Sequence, residues 1–460
     1  MSLIKSVSGI RGTIGGTAGH NLTPQDAVLY TAAFATWLKY THNTPTVIVG
    51  RDARTTGEQL TMIVCNTLIM CGINVIQAGL TTTPTLALGV ECSHAQGGIM
   101  LTASHNPAQW NALKLFNQKG EFLTAEEGKV VLNIAHKNDI IYAEWNMQGV
   151  NKQGIDFLQY HINQICALPL VDIEAIKNAN FKIVVDGINS SGGIAVPAIL
   201  KALGIRHIKE MNCEPTGHFA HNPEPLPQNL TSVCNEVTSA EYDLAIVVDP
   251  DVDRLCFICE DGSMFGEEYT LVAVAKYVLQ HTSGNTVSNL SSSRALKDIT
   301  ISAGGQYYAS AVGEAHVVQK MKEVNAVIGG EGNGGVIYPP LHYGRDALVG
   351  IALFLSALAK FGKPASFYRA TLPQYHISKN KIELTPDIDI DIVLAGIKSQ
   401  YAGHDTDITD GVKINFDAEW VHLRPSNTEP IIRIYAESAT NATADYLAEK
   451  IIKDIKELIN

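Results

Sequence analysis

The sequence predicts a multidomain α/β protein with a smaller α+β unit at its C-terminal end. The chain has 460 residues, which is too long for a single core and indicates three or four domains. Strand-like and helix-like segments alternate as far as residue 370, a pattern typical of α/β units with parallel strands. The segments after residue 371 are shorter and of mixed type, which favours an α+β unit there.

The first unit opens with a turn that presents an arginine and continues as alternating helices and strands. Arg11 is bracketed by Gly9 and Gly12, and a lone arginine of this kind is often only a solvated surface residue. Apolar periodicity then predicts the following order of elements: a helix at 25–40, a strand at 46–50, a helix at 59–71, a strand at 74–78, a turn at 81–84, and, later, a helix at 125–135.

A hydroxyl side chain follows the next buried strand. Residues 98–102, GIMLT, are predicted to be that strand, and the polar turn SHNP after it contains Ser104 and His105. Ligands bind at the carboxyl ends of strands in open α/β sheets, so we expect Ser104 on an exposed functional loop. Lys114 follows at a distance that lets its ammonium approach the serine, an arrangement suited to phosphate chemistry. The alternative is that the serine only satisfies the turn.

The second unit is predicted to end in an acidic loop. A helix is predicted at 154–166. The strand at 181–185, with the polar glycine turn and the helix after it, repeats the plan of residues 46–57, and a strand at 243–248 runs into DPDVDR. The loop carries Asp249, Asp251 and Asp253 at alternating positions, followed by Arg254. Carboxylates this close repel one another unless a cation compensates them, and oxygen ligands suit Mg²⁺. The alternative is a solvated acidic turn.

The third unit is predicted to contain a glycine-rich loop. Helices are expected at 269–280 and 347–360, and a strand at 324–328 leads into GGEGNGG. The glycines satisfy the spacing of a dinucleotide fingerprint, but two prolines follow where that motif requires a helix, so we reject that interpretation.

The last unit contains a polar turn between two strands. The strands are predicted at 420–423 and 431–436, with the sequence RPSNTEP between them. The turn offers a guanidinium, hydroxyls, an amide and backbone N–H groups, which suit phosphate binding. An ordinary polar hairpin is the alternative. Its candidate ligands are Arg424, Ser426, Asn427 and Thr428.

Composition excludes some partners and not others. Lys and Arg number 34 against 46 Asp and Glu, for a net charge of −12, which disfavours nucleic acid but permits a small anion bound by a local cationic cluster. No stretch of 18 uninterrupted apolar residues is present, and we expect a cytosolic protein with no membrane partner. The eight cysteines are expected to be reduced thiols, including the pair Cys256 and Cys259, which lacks further zinc ligands.

Five segments together resemble the α-D-phosphohexomutase family. These are GIRG near Arg11, TASHNP with the later Asn111 and Lys114, DPDVDR, GEGNGG, and RPSNTEP followed by IIRIYAE. The resemblance implies three related α/β domains with mixed sheets and a C-terminal α+β domain around a central cleft. The domains are expected at 1–150, 151–255, 256–370 and 371–460.

The resemblance also implies roles for particular residues. Ser104 is expected to carry the transferred phosphoryl group. The other catalytic residues are expected to be Lys114, Arg11, Arg254 and His105. Metal ligands are expected to be Ser104, Asp249, Asp251 and Asp253. Substrate contacts are expected from Glu331, Asn333, Arg424, Ser426, Asn427, Thr428 and Arg433.

The glycine-rich loop departs from the best-known bacterial pattern of this family. Gly335 stands where that pattern has a histidine, and Asn333 stands where it has a serine. A general-base role of that histidine would have to pass to Lys114 or His316, or be absent.

The implied reaction is transfer of a phosphoryl group between the 6- and 1-positions of a hexose phosphate, with Mg²⁺ as cofactor and a sugar 1,6-bisphosphate as activator. GIRG, the GRDAR segment at 50–54 and the TEPIIRIYAE segment resemble phosphoglucosamine mutases most, so glucosamine 6-phosphate is the expected substrate. Phosphomannomutase or phosphoglucomutase activity is the alternative. A serine phosphatase and a non-catalytic sugar-phosphate-binding protein are further alternatives. A monomer or homodimer is expected.

Overall fold

The computed structural model describes residues 2–6, 9–384, 388–425 and 431–459. These residues form four sheets of seven, four, four and five strands, with helices packed against them. The expected fold class is confirmed, because three α/β units with mixed sheets precede a C-terminal α+β unit.

The first unit is built on the seven-stranded sheet, whose strand order is β1-β2-β6-β5-β3-β4-β7. Its elements in chain order are β1 (Ile4–Ser6), β2 (Gly9–Thr13), α1 (Pro24–Lys39), β3 (Thr46–Arg51), α2 (Gly57–Met70), β4 (Asn74–Leu80), α3 (Thr83–Cys92), β5 (Gly97–Leu101), β6 (Trp110–Asn117), α4 (Ala125–Lys137) and β7 (Asn151–Lys152).

The second unit follows with a four-stranded sheet in the order β11-β10-β8-β9. Its elements are α5 (Phe157–Cys166), α6 (Ile173–Ala179), β8 (Lys182–Asp186), α7 (Gly192–Ala202), β9 (His207–Met211), a 3₁₀ turn (Pro227–Asn229), α8 (Thr231–Ser239), β10 (Leu244–Val248) and β11 (Leu255–Cys259).

The third unit has a four-stranded sheet in the order β13-β12-β14-β15. Its elements are α9 (Glu267–His281), β12 (Asn285–Asn289), α10 (Ala295–Ser302), β13 (Tyr307–Ser310), α11 (Glu314–Glu323), β14 (Ala326–Glu331), β15 (Gly335–Ile337), α12 (Ala347–Phe361) and α13 (Ala365–Ala370).

The last unit packs two helices on an antiparallel sheet in the order β16-β20-β19-β18-β17. Its elements are β16 (His376–Glu383), α14 (Ile390–Gln400), β17 (Asp405–Asp407), β18 (Val412–Asn415), β19 (Trp420–Pro425), β20 (Ile431–Ser438) and α15 (Asn441–Ile459).

The three α/β units share one four-stranded plan. In each, two parallel strands are followed by a third that pairs parallel to the first, and a fourth returns antiparallel beside the third. The connections between the third and fourth strands are β5–β6, β10–β11 and β14–β15. These three connections carry the serine, the aspartates and the glycine-rich loop, so the repeat places each candidate segment at the same point of its unit.

Two local predictions differ from the structure. The turn predicted at 81–84 is wrong, because Thr82 begins helix α3: its hydroxyl accepts a hydrogen bond from the Thr85 N–H at 3.1 Å. Pro84 lies in the first helical turn, where a missing N–H leaves no hydrogen bond unmade. The strand predicted at 324–328 runs on to Glu331, because its end pairs with the returning strand β15.

The buried side chains divide into separate cores. The first and last units have apolar cores of their own, whereas α5, α6, α7, α9, α10, α12 and α13 of the second and third units share one continuous cluster. Helices α8 and α11 pack in two smaller, separate clusters. All eight cysteines are free thiols. In the described part of the chain, no helix combines the length and the apolar composition needed to cross a membrane.

Candidate active site

Ser104 lies in the turn after β5, with its hydroxyl directed at the aspartate loop. Its backbone is left-handed (φ = 50°), and its N–H donates to Thr102 Oγ1 at 2.9 Å. The hydroxyl donates to Asp249 Oδ2 at 2.6 Å, and the His105 Nδ1 atom lies 3.5 Å from it. The expectation that Ser104 lies on an exposed loop is wrong, since the residue is 3% exposed. The aspartate loop of the second unit covers it.

A buried arginine outside the turn holds the backbone of this loop. Arg54, which is 1% exposed, donates to the carbonyl oxygens of Ser104 (2.5 Å), Asn106 (2.7 Å), Pro107 (2.8 Å) and Trp110 (2.9 Å). Carbonyl groups buried without such donors would be costly, so this guanidinium fixes the path of the chain on both sides of the serine.

Asp52 completes that support. Its Oδ2 accepts hydrogen bonds from Arg54 Nε at 3.2 Å and from Thr102 Oγ1 at 2.6 Å. Because Thr102 also accepts from the Ser104 N–H, the contacts form a chain from the end of β3 to the serine. The serine is therefore held by groups that do not touch the cleft.

The aspartate loop closes on its own backbone. Asp249 Oδ1 accepts from the N–H groups of Asp253 and Arg254, both at 3.1 Å. From the first unit, the Thr83 N–H donates to the Asp251 carbonyl at 2.9 Å, and the Thr83 hydroxyl donates to the Asp251 carboxylate. The helix that the sequence did not predict therefore supports this loop.

The three aspartates form a cluster able to hold a cation. One carboxylate oxygen from each lies within 4.8 Å of the others, and all three residues are buried. Asp251 Oδ1 and Asp253 Oδ1 are buried and have no hydrogen-bond partner among the residues that the structure describes. Burial, and then the charges of Asp251 and Asp253, raise the pKa of Asp249 well above its usual value. Buried oxygens with free lone pairs are the donor set that a hard divalent cation prefers, so these residues fit a metal ion.

Two cations already compensate part of this charge. Lys114 Nζ lies 2.6 Å from Asp251 Oδ2 and 3.1 Å from Asp253 Oδ2, and Arg345 Nη2 lies 2.7 Å from the same Asp253 oxygen. Burial alone would lower the pKa of Lys114, but Asp251 and Asp253 raise it above its usual value. Lys114 is therefore a counter-ion of the aspartate loop.

The glycine-rich loop begins at the end of β14 with Glu331, whose carboxylate accepts three hydrogen bonds. Glu331 Oε1 accepts from Asn289 Nδ2 at 2.8 Å and from the Gly313 N–H at 3.0 Å. Its Oε2 accepts from Arg345 Nη1 at 2.9 Å. Since Arg345 also binds Asp253, one guanidinium joins the glycine-rich loop to the aspartate loop.

Two glycines of this loop, Gly332 and Gly335, leave room for side chains from other segments. A Cβ at position 335 would lie 2.3 Å from Arg345 Cδ, and a Cβ at position 332 would lie 2.0 Å from Glu268 Oε2. Both separations are too short for real contacts. Gly335 thus permits Arg345 to occupy the space beside it, and Gly332 does the same for Glu268.

A cavity of about 200 Å³ opens between these loops and the last unit. Most of its lining is polar, and all four units contribute to it: His105, Glu224, Arg254, Glu268, Asn289, Ser291, Glu331, Asn333, Lys379, His422, Arg424 and Arg433, with Val312, Gly332 and Tyr435. Arg254 Nε is buried and has no hydrogen-bond partner in the described part of the chain. Such a donor is available to a ligand.

Two arginines face each other at the far end of the cavity. Arg424 on β19 pairs directly with Arg433 on β20. Like charges directly opposite on neighbouring strands repel, and Asp410 compensates only Arg424, at 2.8 Å. An anion between the guanidinium groups would relieve this repulsion.

The remaining candidates are placed as follows. Arg11 Nη1 donates to Asn106 Oδ1 at 2.8 Å, and Asn333 lines the cavity. Burial, and then Arg254, lower the pKa of His105 well below its usual value, so its ring is neutral. Within the described residues, His316 is not part of the cavity lining. Ser426, Asn427 and Thr428 lie outside the described residues.

Sequence reasoning missed the roles of three residues. Arg54 was visible in the segment GRDAR, but nothing local shows that it binds four carbonyl groups of a turn 50 residues away. Arg345 and Glu268 reach the cleft from outside the motifs. The glycines at 332 and 335 are the sequence feature that points to Arg345 and Glu268, because a loop without side chains at these positions must be lined by side chains from other segments.

Four family models match consecutive parts of the chain. They are the α/β/α domains I, II and III of phosphoglucomutase/phosphomannomutase, over residues 3–141, 159–262 and 266–375, and its C-terminal domain, over residues 390–454. The chain therefore belongs to the phosphoglucomutase/phosphomannomutase family of enzymes, the phosphohexomutases.

Relatives from archaea match almost end to end. A phosphoglucomutase/phosphomannomutase of Thermococcus kodakarensis is 35% identical, with 97% of this chain and 98% of the relative covered. A probable phosphoglucosamine mutase of Methanopyrus kandleri is 30% identical, with 98% and 97% covered.

Solved structures share the fold. A phosphoglucomutase/phosphomannomutase family protein of Burkholderia thailandensis has a TM-score of 0.85 at 22% identity, with 99% of this chain and 97% of that chain covered. The N-acetylphosphoglucosamine mutase of Aspergillus fumigatus, solved in complex with GlcNAc-6P and magnesium, has a TM-score of 0.60 at 15% identity, with 100% and 96% covered.

Proposed function

We propose that the protein moves a phosphoryl group between the 6- and 1-positions of a hexose phosphate, through phosphorylated Ser104 and a sugar bisphosphate, and that its substrate is glucosamine 6-phosphate. The observation that carries the proposal is the 2.6 Å hydrogen bond from the Ser104 hydroxyl to Asp249, inside a cluster of three buried aspartates. This arrangement joins a nucleophile to a cluster of carboxylates that is able to hold a cation.

The reaction divides into two transfers. In the first, the bond between phosphorus and Ser104 Oγ breaks, a new bond forms to the free hydroxyl oxygen of the sugar monophosphate, and the hydroxyl proton is released. In the second, the other phosphate of the bisphosphate passes to Ser104 Oγ, and the sugar oxygen released regains a proton. The bisphosphate turns around in the cleft between the two transfers.

The chain's own residues supply positioning and charge. Lys114 and Arg254 lie where negative charge gathers on the transferring group, and Arg11 and His105 support the serine loop from the cleft side. Mg²⁺ held by Asp249, Asp251 and Asp253, with an oxygen at Ser104, would neutralise charge on the transferring phosphoryl group.

The far end of the cavity is assigned to the phosphate that does not react. Arg424 and Arg433 face each other there, and their mutual repulsion supports an anion between them. Ser426, Asn427 and Thr428 are proposed to complete this phosphate loop. Glu331 and Asn333 are proposed to contact the sugar hydroxyls.

The proposal has consequences for the whole protein. The domains are proposed to span 1–150, 151–255, 256–370 and 371–460, and the activator is a catalytic amount of the sugar 1,6-bisphosphate. The protein is proposed to act in the cytosol as a monomer or homodimer on a small-molecule substrate. The net charge of −12 supports the absence of a nucleic-acid partner.

Phosphomannomutase/phosphoglucomutase activity is the second candidate. It is favoured by the 35% identity to the Thermococcus kodakarensis protein, whose name includes both activities. The probable phosphoglucosamine mutases, at 30% identity, favour the first. The two candidates share every step above and differ only in which sugar the cavity accepts.

The test is kcat/KM on glucosamine 6-phosphate, mannose 1-phosphate and glucose 1-phosphate, with Mg²⁺ and a trace of sugar bisphosphate. A preference for the amino sugar supports the first candidate, and comparable rates on the other two support the second. Ser104→Ala should abolish turnover, whereas Ser93→Ala, at the end of α3, should not. Release of free phosphate instead of an isomer would indicate a phosphatase, and no turnover would indicate a binding protein.

A further inference from the structure

Three carboxylates line the cavity, and two of them already have a guanidinium partner. Glu331 binds Arg345 at 2.9 Å, and Glu224 lies 3.2 Å from Arg254 Nη1. The third, Glu268, has no guanidinium partner among the described residues. A carboxylate of this kind in a cavity wall is available to a cationic ligand.

Glu268 lies in the first turn of α9 with one oxygen engaged and one spare. Its Oε2 accepts from the Ser293 N–H at 3.1 Å, and its Oε1 accepts no hydrogen bond from any residue that the structure describes. Lys379 Nζ forms an ion pair with this same Oε1 at 3.6 Å, beyond hydrogen-bond distance, and donates its hydrogen bond to Glu267 Oε1 at 3.1 Å. The side chain of Glu268 is 12% exposed.

As an anion, Glu268 is only partly compensated by Lys379. Burial raises the pKa of its carboxyl group to about 8, although Lys379 acts in the opposite direction, so near neutral pH the group holds a proton that a cationic ligand would displace. A buried carboxylate gains more from a further cation than a solvated one does, because water no longer stabilises its charge. A second ammonium at Oε1 would complete its partners.

The glycine-rich loop is shaped around this carboxylate. A Cβ at position 332 would lie 2.0 Å from Glu268 Oε2, so the loop passes this close only because Gly332 has no side chain. The Gly332 N–H donates to Ser292 Oγ at 3.0 Å, which fixes the loop there. Glu268 thus places a carboxyl group beside Gly332, a position of the glycine-rich loop that has no side chain.

We propose that Glu268 selects the sugar by binding a cationic substituent on its ring, and that the substrates of this site are hexosamine phosphates. The inference rests on the proposed phosphoryl transfer on a hexose phosphate. An amino sugar differs from its parent hexose by an ammonium in place of one hydroxyl. A carboxylate whose ammonium neighbour, Lys379, donates its hydrogen bond to Glu267 discriminates between the two, because an ammonium on the sugar neutralises it and a hydroxyl does not.

The test compares two substrates that differ only at the 2-position, glucosamine 6-phosphate and glucose 6-phosphate. Glu268→Gln keeps the shape of the side chain and an oxygen for the Ser293 N–H, but removes the charge. We expect kcat/KM for the amino sugar to fall about 30-fold, the value of one charge-assisted hydrogen bond. The value for glucose 6-phosphate should change less than about threefold, because a hydroxyl bonds an amide as well as a carboxylate.

Two further variants separate charge from structure. Glu267→Gln is the matched control, because Glu267 precedes Glu268 in the same helical turn and also contacts Lys379, but does not line the cavity in the described part of the chain. Glu267→Gln should leave unchanged the ratio of kcat/KM for glucosamine 6-phosphate to kcat/KM for glucose 6-phosphate. Gly332→Ala keeps the charge and displaces the carboxylate, and should reduce the preference for the amino sugar as Glu268→Gln does.

Each result decides the inference. It is overturned if Glu268→Gln leaves unchanged the ratio of kcat/KM for glucosamine 6-phosphate to kcat/KM for glucose 6-phosphate, including by lowering both values equally. The proposed phosphohexomutase reaction would then still stand. Calorimetric titration of each sugar phosphate tests it without turnover. Tighter binding of the amino sugar that is lost in Glu268→Gln supports the inference even if neither sugar is converted, and equal binding of the two sugars overturns it.

Discussion

Replacing Arg54 tests whether the serine loop owes its geometry to a residue outside the cleft. The arginine side chain donates five hydrogen bonds, four to carbonyl oxygens of the loop and one to Asp52. In Arg54→Lys the charge remains, but an ammonium has three donors at a single point, so at least two of the five contacts are lost.

The expected magnitudes follow from those two contacts. Hydrogen bonds to charged groups contribute about 1.5–3 kcal/mol each, so the free energy of unfolding should fall by about 3–6 kcal/mol. If about 3 kcal/mol of this loss appears as misplacement of Ser104, kcat should fall about 100-fold. KM should change less than about threefold, because Arg54 does not line the cavity in the described part of the chain.

The assay is steady-state isomerisation at a temperature where urea titration shows the variant to be folded. Arg51→Lys is the matched control, because Arg51 is the last residue of β3, three residues before Arg54, and its side chain donates to a single carbonyl, that of Asp52, at 3.1 Å. It should retain kcat within about twofold. A folded Arg54→Lys enzyme with wild-type kcat, or one in which only KM changes, would refute the positioning role.

The remaining predictions concern the metal site, the glycine-rich loop and the interface of the last unit. Mg²⁺ should raise the melting temperature of the wild type, by an amount equivalent to about 2.7 kcal/mol at 100 times its Kd, and Asp251→Asn should abolish the shift; a full shift in that variant would place the ion elsewhere. In Gly335→Ala the new Cβ would lie 2.3 Å from Arg345 Cδ, so Arg345 should be displaced and kcat should fall at least about 10-fold. Gly403→Ala is the control and should have no effect on kcat, because a Cβ at position 403 meets open space. Equal activity of the two variants would argue against the role of Arg345. Burial lowers the pKa of His422 to about 4, below its unfolded value of about 6.5, so its contribution to stability is lost as the pH falls from 6.5 towards 4. In His422→Asn the difference in unfolding free energy between pH 7 and pH 5 should shrink by about 2 kcal/mol, as measured by urea titration, and an unchanged difference would contradict this origin.

The sequence predicted the parts of the site that are contiguous in the chain. Ser104 and the aspartates each follow a short apolar run directly, so the pattern of strand and polar turn was sufficient to find them. The repeat of this pattern also indicated related units. Each of these signals comes from neighbouring residues.

Contacts between distant segments could not be predicted in this way. Arg345 lies 92 residues from Asp253, and its position depends on the packing of two units. Hydrophobic periodicity carries no information on such pairs. The burial of Ser104 has the same origin, because the loop that covers it belongs to another unit.

Helix α3 shows a local limit as well. Consecutive threonines before Pro84 are compatible with either a turn or a capped helix start, and the choice depends on whether Thr82 accepts a hydrogen bond from the Thr85 N–H. The sequence contained both possibilities. The Thr83 contact with Asp251, from the other side of the cleft, stabilises the helical one.

Gly332 and Gly335 imply that the glycine-rich loop and the segments packed against it change together in evolution. The side chain of Glu268 occupies the space that a side chain at position 332 would need, and the side chain of Arg345 does the same at position 335. A larger residue at either glycine requires a smaller or redirected partner, so we expect evolution to exchange them as pairs. Transplanting the hexapeptide GEGNGG alone into another phosphohexomutase should therefore leave a void rather than transfer its sugar preference.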